Sequence, residues 1–417
     1  MKINDASPHS SSEIVRKAYL IGMGGGVWTP KPEQGGSAVA STSAHRKPNI
    51  CIIGAGVVGL SVAQRLIERT GGTDVDITIM ADKFLQETTS GGAGGLWEPY
   101  ALSNTDSARV ISWAAGSYAK FESLVADTAV AQAAGVQPVV SYELFTDAAE
   151  AQVLPDWAPV CKSFKLLPDA AAIAAAIPCM PQRTAPELPF VAAWEYSTFT
   201  ADQRVYLPYL TLLLEQAGVR LVSRHVETLD ELLRKDDVEK AADSSGYDIV
   251  VNCTGIGAGK LLGAAESVYP LRGQVVRIAT PHDWLCSPAG HAAGDGVQLC
   301  INWPQSYIIP NQNSLVLGGT VGEPTNWDTR VVPEQSAAIR QRISSVFPEL
   351  AEAPSISEWA GLRPCNKTGV CLESCVAQQS LLVHCYGHGG SGVTLSYGCA
   401  VDVVENHVLP RLKQWRS

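Results

Sequence analysis

"CIIGAGVVGLS", residues 51–61, is the stretch on which the reading of this 417-residue chain turns. With Asn49 and Ile50 before it, it opens as a short apolar, β-branched run of strand length that stops at Gly54. Beyond the glycines, Val58, Val62, Ala63, Leu66 and Ile67 recur at helical spacing until Thr70-Gly71-Gly72 ends the pattern. "VDITIMAD" (75–82) then reads as a second strand ending in an acid. In such a unit Gly54 allows the tight turn, Gly56 lets the backbone approach a pyrophosphate, and Gly59 lets helix and sheet pack closely. The helix N-terminus offers free N–H groups and the positive end of its dipole to the phosphates. Asp82 stands where a carboxylate binds ribose hydroxyls, which disfavours a 2′-phosphate and hence NADP. The fingerprint alone is shared by NAD, NADP and FAD proteins.

Three later stretches favour a flavin. "TTSGGAGGLWEPY" (88–100) runs straight from the acid into glycines flanked by hydroxyls, able to lay backbone N–H groups along an extended cofactor. "YDIVVNCTGIGAG" (247–259) is an apolar strand ending at Thr254-Gly255; it follows an expected helix (204–217) and strand (219–226). The parallel sheet is thus resumed far along the chain, and a discontinuous cofactor domain suits FAD better than NAD. "LLVHCYGHGGSGVTLSYGCAVDVV" (381–404) repeats strand, glycine turn and helix, placing a second helix N-terminus near Gly392–Thr394. A helix dipole aimed at N1 and C2=O of a flavin stabilises its reduced form. His388 reads equally as a base or as a structural hydrogen-bonder.

Hydrophobic content of 46% with 17% charged residues is that of a globular enzyme. A formal charge of −10 without a Lys/Arg cluster argues against nucleic acid as a partner. No apolar run approaches the roughly 18–20 residues that span a bilayer, so no membrane association is expected. The eleven cysteines read as reduced thiols of an intracellular protein. Cys365, Cys371 and Cys375 match no common zinc spacing, and no metal is expected. Residues 1–48 are expected to be a flexible extension without a secretory signal, and "IGMGGGVW" (21–28) only mimics the fingerprint. The ending "QWRS" is not the Ser-Lys-Leu address, which leaves peroxisome and cytoplasm both open.

Taken in order, "IIGAGVVGLS", "ADKF", "GGLWEPY", "VNCTG", "RGQVV", "SYIIP", "LGGT", "GLRP" and "YGHGGSGVT" resemble the D-amino-acid oxidase family over roughly 49–410. The resemblance implies an α/β fold: a discontinuous FAD-binding Rossmann-like lobe and a second α+β lobe with a largely antiparallel sheet. The expected division gives 49–100, 203–262 and 358–417 to the FAD lobe, and 101–202 and 263–357 to the substrate and interface lobe. It implies that Gly54, Ala55, Gly56, Val57, Val58 and Gly59 form the diphosphate turn of FAD, and that Asp82 and Lys83 face its ribose. Thr88, Thr89, Ser90, Gly95 and Leu96 line the cofactor further. Val226 and Thr254 contact the adenine half, and Gly389, Gly392 and Thr394 hold the pyrimidine edge. Arg363 and Tyr307 fall where the family grips the substrate carboxylate, which suits a bidentate guanidinium and a hydroxyl donor. The Gly390 carbonyl would accept from the substrate amine.

The implied chemistry is hydride transfer from a D-amino acid to flavin N5, with dioxygen as oxidant and a 2-oxo acid, ammonia and hydrogen peroxide as products. No catalytic side chain is demanded. Relatives of this kind often dimerise, so a homodimer is compatible with the resemblance. Departures concern the pocket. Trp303 takes the place of a lid tyrosine, after a long Gly- and Ala-containing loop (281–301); Ser391 replaces a tyrosine. Glu98 replaces a glutamine, which would favour a cationic or hydroxylated substrate side chain if it faces the pocket and means nothing if it lies at the surface. Val321 stands where relatives acting on D-aspartate carry an arginine, so neutral or basic D-amino acids are expected over acidic ones. The alternatives are a flavin oxidase of glycine or sarcosine, a nicotinamide dehydrogenase, and a non-catalytic flavin-binding protein.

Overall fold

Strand β1 (Asn49–Ala55) leaves Ile50, Cys51 and Ile52 without exposed surface in the computed structural model. Residues 46–177, 180, 190–234, 246–281 and 298–416 are described. The N-terminal extension up to residue 45, the glycine mimic at 21–28 and most of the loop before Trp303 lie outside the described residues. After Asn49, β1 carries no polar side chain because it sits inside a parallel sheet covered on both faces. The sheet is six-stranded, in the order β13-β14-β7-β1-β2-β6. Its other members are β2 (Asp76–Phe84), β6 (Arg220–Ser223), β7 (Ile249–Asn252), β13 (Cys371–Ala377) and β14 (Ser380–Tyr386). All neighbours pair in parallel except the antiparallel edge strand β13.

Helices α1 (Val57–Thr70), α2 (Ser107–Val125), α3 (Gln203–Gln216) and α5 (Gly392–Asp402) contribute to the main core beside this sheet. Glu68 of α1 pairs with Lys120 of α2 at 2.8 Å and also meets the Tyr397 hydroxyl of α5. This buried pair is joined by a further hydrogen-bonding group, the arrangement in which buried charge is tolerated. The expected helix 204–217 starts one residue earlier, because the Asp202 carboxylate accepts from the Arg204 N–H at 3.1 Å. The strand expected over 219–226 is shorter: β6 pairs with β2 only along Thr78–Ala81, and Val226 lies in the loop beyond it.

The second sheet has eight strands in the order β12-β8-β11-β10-β9-β3-β5-β4. They are β3 (Val136–Phe145), β4 (Lys162–Leu167), β5 (Ala192–Ala201), β8 (Val268–Ala279), β9 (Gln298–Trp303), β10 (Ser306–Asn311), β11 (Ser314–Gly318) and β12 (Ser355–Asn366). Only β3 and β9 pair in parallel. Its two faces alternate cleanly along each strand. Tyr142, Leu144, Leu299, Ile301, Ile308, Leu315, Leu317, Val276 and Ile278 join Ile339 and Ile343 of helix α4 (Pro333–Val346) in one apolar cluster. The opposite face carries Val139, Cys300, Ile309, Val316 and Val275, with Tyr307 and Trp359 against them. The division expected at residue 358 cuts through β12, whose residues 355–366 all belong to this second sheet.

Candidate active site

A cavity of about 1010 Å³ is lined from both sheets. At one end lie Gly54, Ala55, Gly56, Val57 and Val58, with Asp82, Lys83, Thr88, Thr89, Ser90, Val226 and Thr254. Gly95, Leu96, Gly389 and Gly392 continue the lining, and Arg363, Tyr307, Gly390, Glu98 and Trp303 complete it. Every expected site residue therefore reaches this one cavity except Gly59 and Thr394. Gly59 is a packing position: a Cβ there would stand 2.0 Å from the Gly54 carbonyl oxygen. Thr394 is buried, and its hydroxyl is spent on loop 88–100: it accepts from the Glu98 N–H (3.1 Å) and donates to the Glu98 carbonyl (2.8 Å).

The cofactor end fits an extended dinucleotide. Gly54 has φ +107°, and a Cβ there would lie 2.4 Å from the Cys253 carbonyl oxygen, so the turn between β1 and α1 needs glycine. Helix caps separate by position. Asp106, Asp127 and Asp202 cap helices away from this turn with their carboxylates. α1 and α5 start from Gly56 and Ser391 with no side-chain cap. At α1 the Val57 N–H meets Ser90 Oγ at 3.0 Å. Both N-termini border the cavity, so their remaining free N–H groups and dipoles are left for an anionic or electron-rich ligand. Ser391 instead fixes loop 88–100, accepting from the Tyr100 N–H at 2.6 Å and donating to the Tyr100 carbonyl at 2.7 Å.

At the other end, Arg363 of β12 extends over Gly273 of β8, where a Cβ would stand 2.5 Å from its Nη1. Tyr307 of β10 lies over Gly318, where a Cβ would be 2.0 Å from the ring. Two glycines thus let the long side chains lie flat and converge. The guanidinium donates to the Thr320 carbonyl at 3.2 Å, sits 5.9 Å from the centre of the Tyr100 ring, and pairs with no carboxylate among the described residues. Burial raises the Tyr307 hydroxyl above its ordinary value although Arg363 pulls it down, so it remains a protonated donor. The Gly389 N–H donates to the Pro364 carbonyl (2.9 Å), which sets the glycine turn beside Arg363. Thr89 Oγ1 donates to the Leu362 carbonyl (3.2 Å), tying the cofactor loop to the same strand. The Trp303 ring packs 6.5 Å from Phe190 and 5.9 Å from Phe347, among the apolar cluster behind the sheet.

Glu98 is not a surface acid. It lines the cavity, and burial pushes its carboxyl up to about 7. Glu143, which sequence reasoning did not single out, lines the same cavity; burial and then the neighbouring Glu98 hold it well above the carboxylate range. Cys365, Cys371 and Cys375 are buried, half-buried and exposed respectively. A different trio, Cys385, His388 and Cys399, brings its ligand atoms within 4.8 Å of one another. His388 is buried there, its Nε2 3.8 Å from the Cys385 sulfur, and it also borders the cavity.

Comparison with known proteins agrees with this geometry. The model of the FAD-dependent oxidoreductase (DAO) family matches residues 49–406. A D-amino-acid oxidase of Rubrobacter xylanophilus is 33% identical over 353 residues, 84% of this chain and 93% of that protein. A human D-aspartate oxidase is 30% identical over 360 residues, 85% of this chain and 92% of its own length. Among solved structures, glycine oxidase from Bacillus cereus shares the fold with a TM-score of 0.65 at 21% identity, covering 86% of this chain and 95% of that one. A glycerophosphate oxidase from Mycoplasma pneumoniae with FAD bound superimposes with a TM-score of 0.62 at 14% identity, covering 85% and 93%. Family match, full-length relatives and a cavity shaped for a dinucleotide coincide: the chain belongs to the FAD-dependent oxidoreductases of the D-amino-acid oxidase family.

Proposed function

We propose that this flavin-dependent amino acid oxidase acts on D-amino acids, neutral or basic in preference to acidic. Its products are the 2-oxo acid, ammonia and hydrogen peroxide, with water and dioxygen as co-reactants. The observation that carries the reading is Arg363: a guanidinium bordering the cavity, beside a protonated Tyr307 hydroxyl, with no carboxylate among the described residues to neutralise it. Such a fork grips a planar carboxylate bidentately, and the tyrosine adds one donor. Bound FAD supplies the two-electron acceptor that dioxygen regenerates. The protein's part is orientation: with the carboxylate held at Arg363 and Tyr307, the Gly390 carbonyl would accept from the amine, and the α-carbon would face the cofactor.

Against acidic substrates stand Val321, which is 64% exposed at the cavity margin, and the two acids Glu98 and Glu143. None of these would pair a second carboxylate. Anaerobic D-alanine should bleach the flavin band near about 450 nm. Steady-state comparison of D-alanine, D-serine, D-arginine and D-aspartate should leave D-aspartate last. D-aspartate as best substrate would overturn the preference. Oxidation of sarcosine without any D-amino acid would assign the site to secondary amines, and a flavin reduced by none of them would end the enzymatic reading.

A further inference from the structure

We propose that Glu98 and Glu143 form a subsite for a positive charge at the far end of the substrate side chain, which selects D-amino acids of the lysine and arginine type. This rests on the D-amino acid reading above and narrows it to one substrate class.

The sheet register supplies the first reason. Glu143 of β3 is directly opposed to Asn302 of β9, Asn302 to Tyr307 of β10, and Tyr307 to Gly318 of β11. Directly opposed residues share a face, so carboxylate, amide and hydroxyl stand in a row along the cavity wall. Arg363 enters the same face from β12 at the opposite flank, across Gly273 of β8. The cavity therefore has a cationic end and an anionic end on one surface. Glu98 reaches the anionic end from loop 88–100, held by its two backbone bonds to Thr394.

The second reason is that these acids lack a countercharge. Among the described residues neither enters an ion pair. The groups that face them are the Tyr196 hydroxyl, the Asn302 amide and the thiols Cys161 and Cys300, all neutral. Two carboxylates in such surroundings repel, and one keeps a proton unless a cation arrives. Both line the cavity, so a ligand is able to bring that cation.

The test compares D-lysine with D-norleucine, which keeps the four side-chain carbons and lacks the terminal ammonium, on the FAD-loaded enzyme. The wild type should show kcat/KM for D-lysine at least tenfold above that for D-norleucine. In Glu143→Gln the ratio should fall at least tenfold, mainly through the KM for D-lysine. Glu98→Gln should lower the same ratio and serves if the first variant does not fold. A wild-type ratio of one or less, or a ratio that neither substitution moves, overturns this inference while D-norleucine turnover leaves the D-amino acid reading intact. If D-alanine, D-norleucine and D-lysine all fail to reduce the flavin, that reading falls and takes the subsite with it.

Discussion

At Arg363 a guanidinium borders the cavity with backbone carbonyls around it and no acid among the described residues to meet it. Its replacement by Leu removes a charge-assisted contact of about 1.5–3 kcal/mol, so KM for D-amino acids should rise about ten- to a hundredfold in steady-state assays. Glu98 carries the pH response. Its carboxyl is pushed from 4.5 up to about 7 in the folded protein by burial, among Tyr196, Glu143, Cys161 and Cys300. Between these two values the folded chain holds a proton that the unfolded chain has lost, so folding stability from this group declines as pH rises through the interval. Thermal unfolding of Glu98→Gln against wild type should therefore show the variant gaining as pH goes from about 5 to 7.5. Parallel curves would place the group's titration elsewhere.

At the scale of elements, the turn between β1 and α1 is the most demanding piece. A methyl at Gly59 would press on the Gly54 carbonyl oxygen at 2.0 Å. Gly59→Ala should cost about 1–3 kcal/mol through overpacking and should lower the bound flavin per protein, read as the ratio of visible to ultraviolet absorbance. This unit was legible in the sequence because its signals are local: a doubly buried strand, glycines at fixed offsets, then helical periodicity. Arg363 and Tyr307 were found through likeness to a family, and "GLRP" alone reads as an ordinary turn. Glu143 was not found. Its meaning comes from pairing with Asn302, more than 150 residues further along the chain, and no short-range pattern reports such a partner. The cysteines make the same point in reverse. Cys365, Cys371 and Cys375 are neighbours in sequence but differ in burial, whereas Cys385 and Cys399 come together with His388 through the strand, glycine turn and helix that join them. Strand β6 is shorter than expected because its pairing with β2 stops at Ser223, and the polar Arg224 and His225 separate it from Val226.

Across the whole molecule the cavity draws residues from 53 to 393, so its occupant binds the native chain and not the unfolded one. FAD at a hundred times its dissociation constant should add about 2.7 kcal/mol to stability. Removing it by dialysis should lower the melting temperature, and its return should restore it. An unchanged transition would mean that the cofactor does not bridge the fold. No helix among the described residues is long and apolar enough to cross a membrane.

The parity of the eight-stranded sheet has a consequence for how this protein diversifies. Odd-numbered Glu143, Tyr307 and Arg363 line the cavity, as does even-numbered Asn302 from its own strand, while their immediate neighbours Tyr142, Ile308 and Ile301 hold the layer together from behind. Recognition and cohesion are thus written on alternate letters of the same strands. A lineage can rewrite one set to accept a new metabolite and leave the other, with the architecture it supports, untouched.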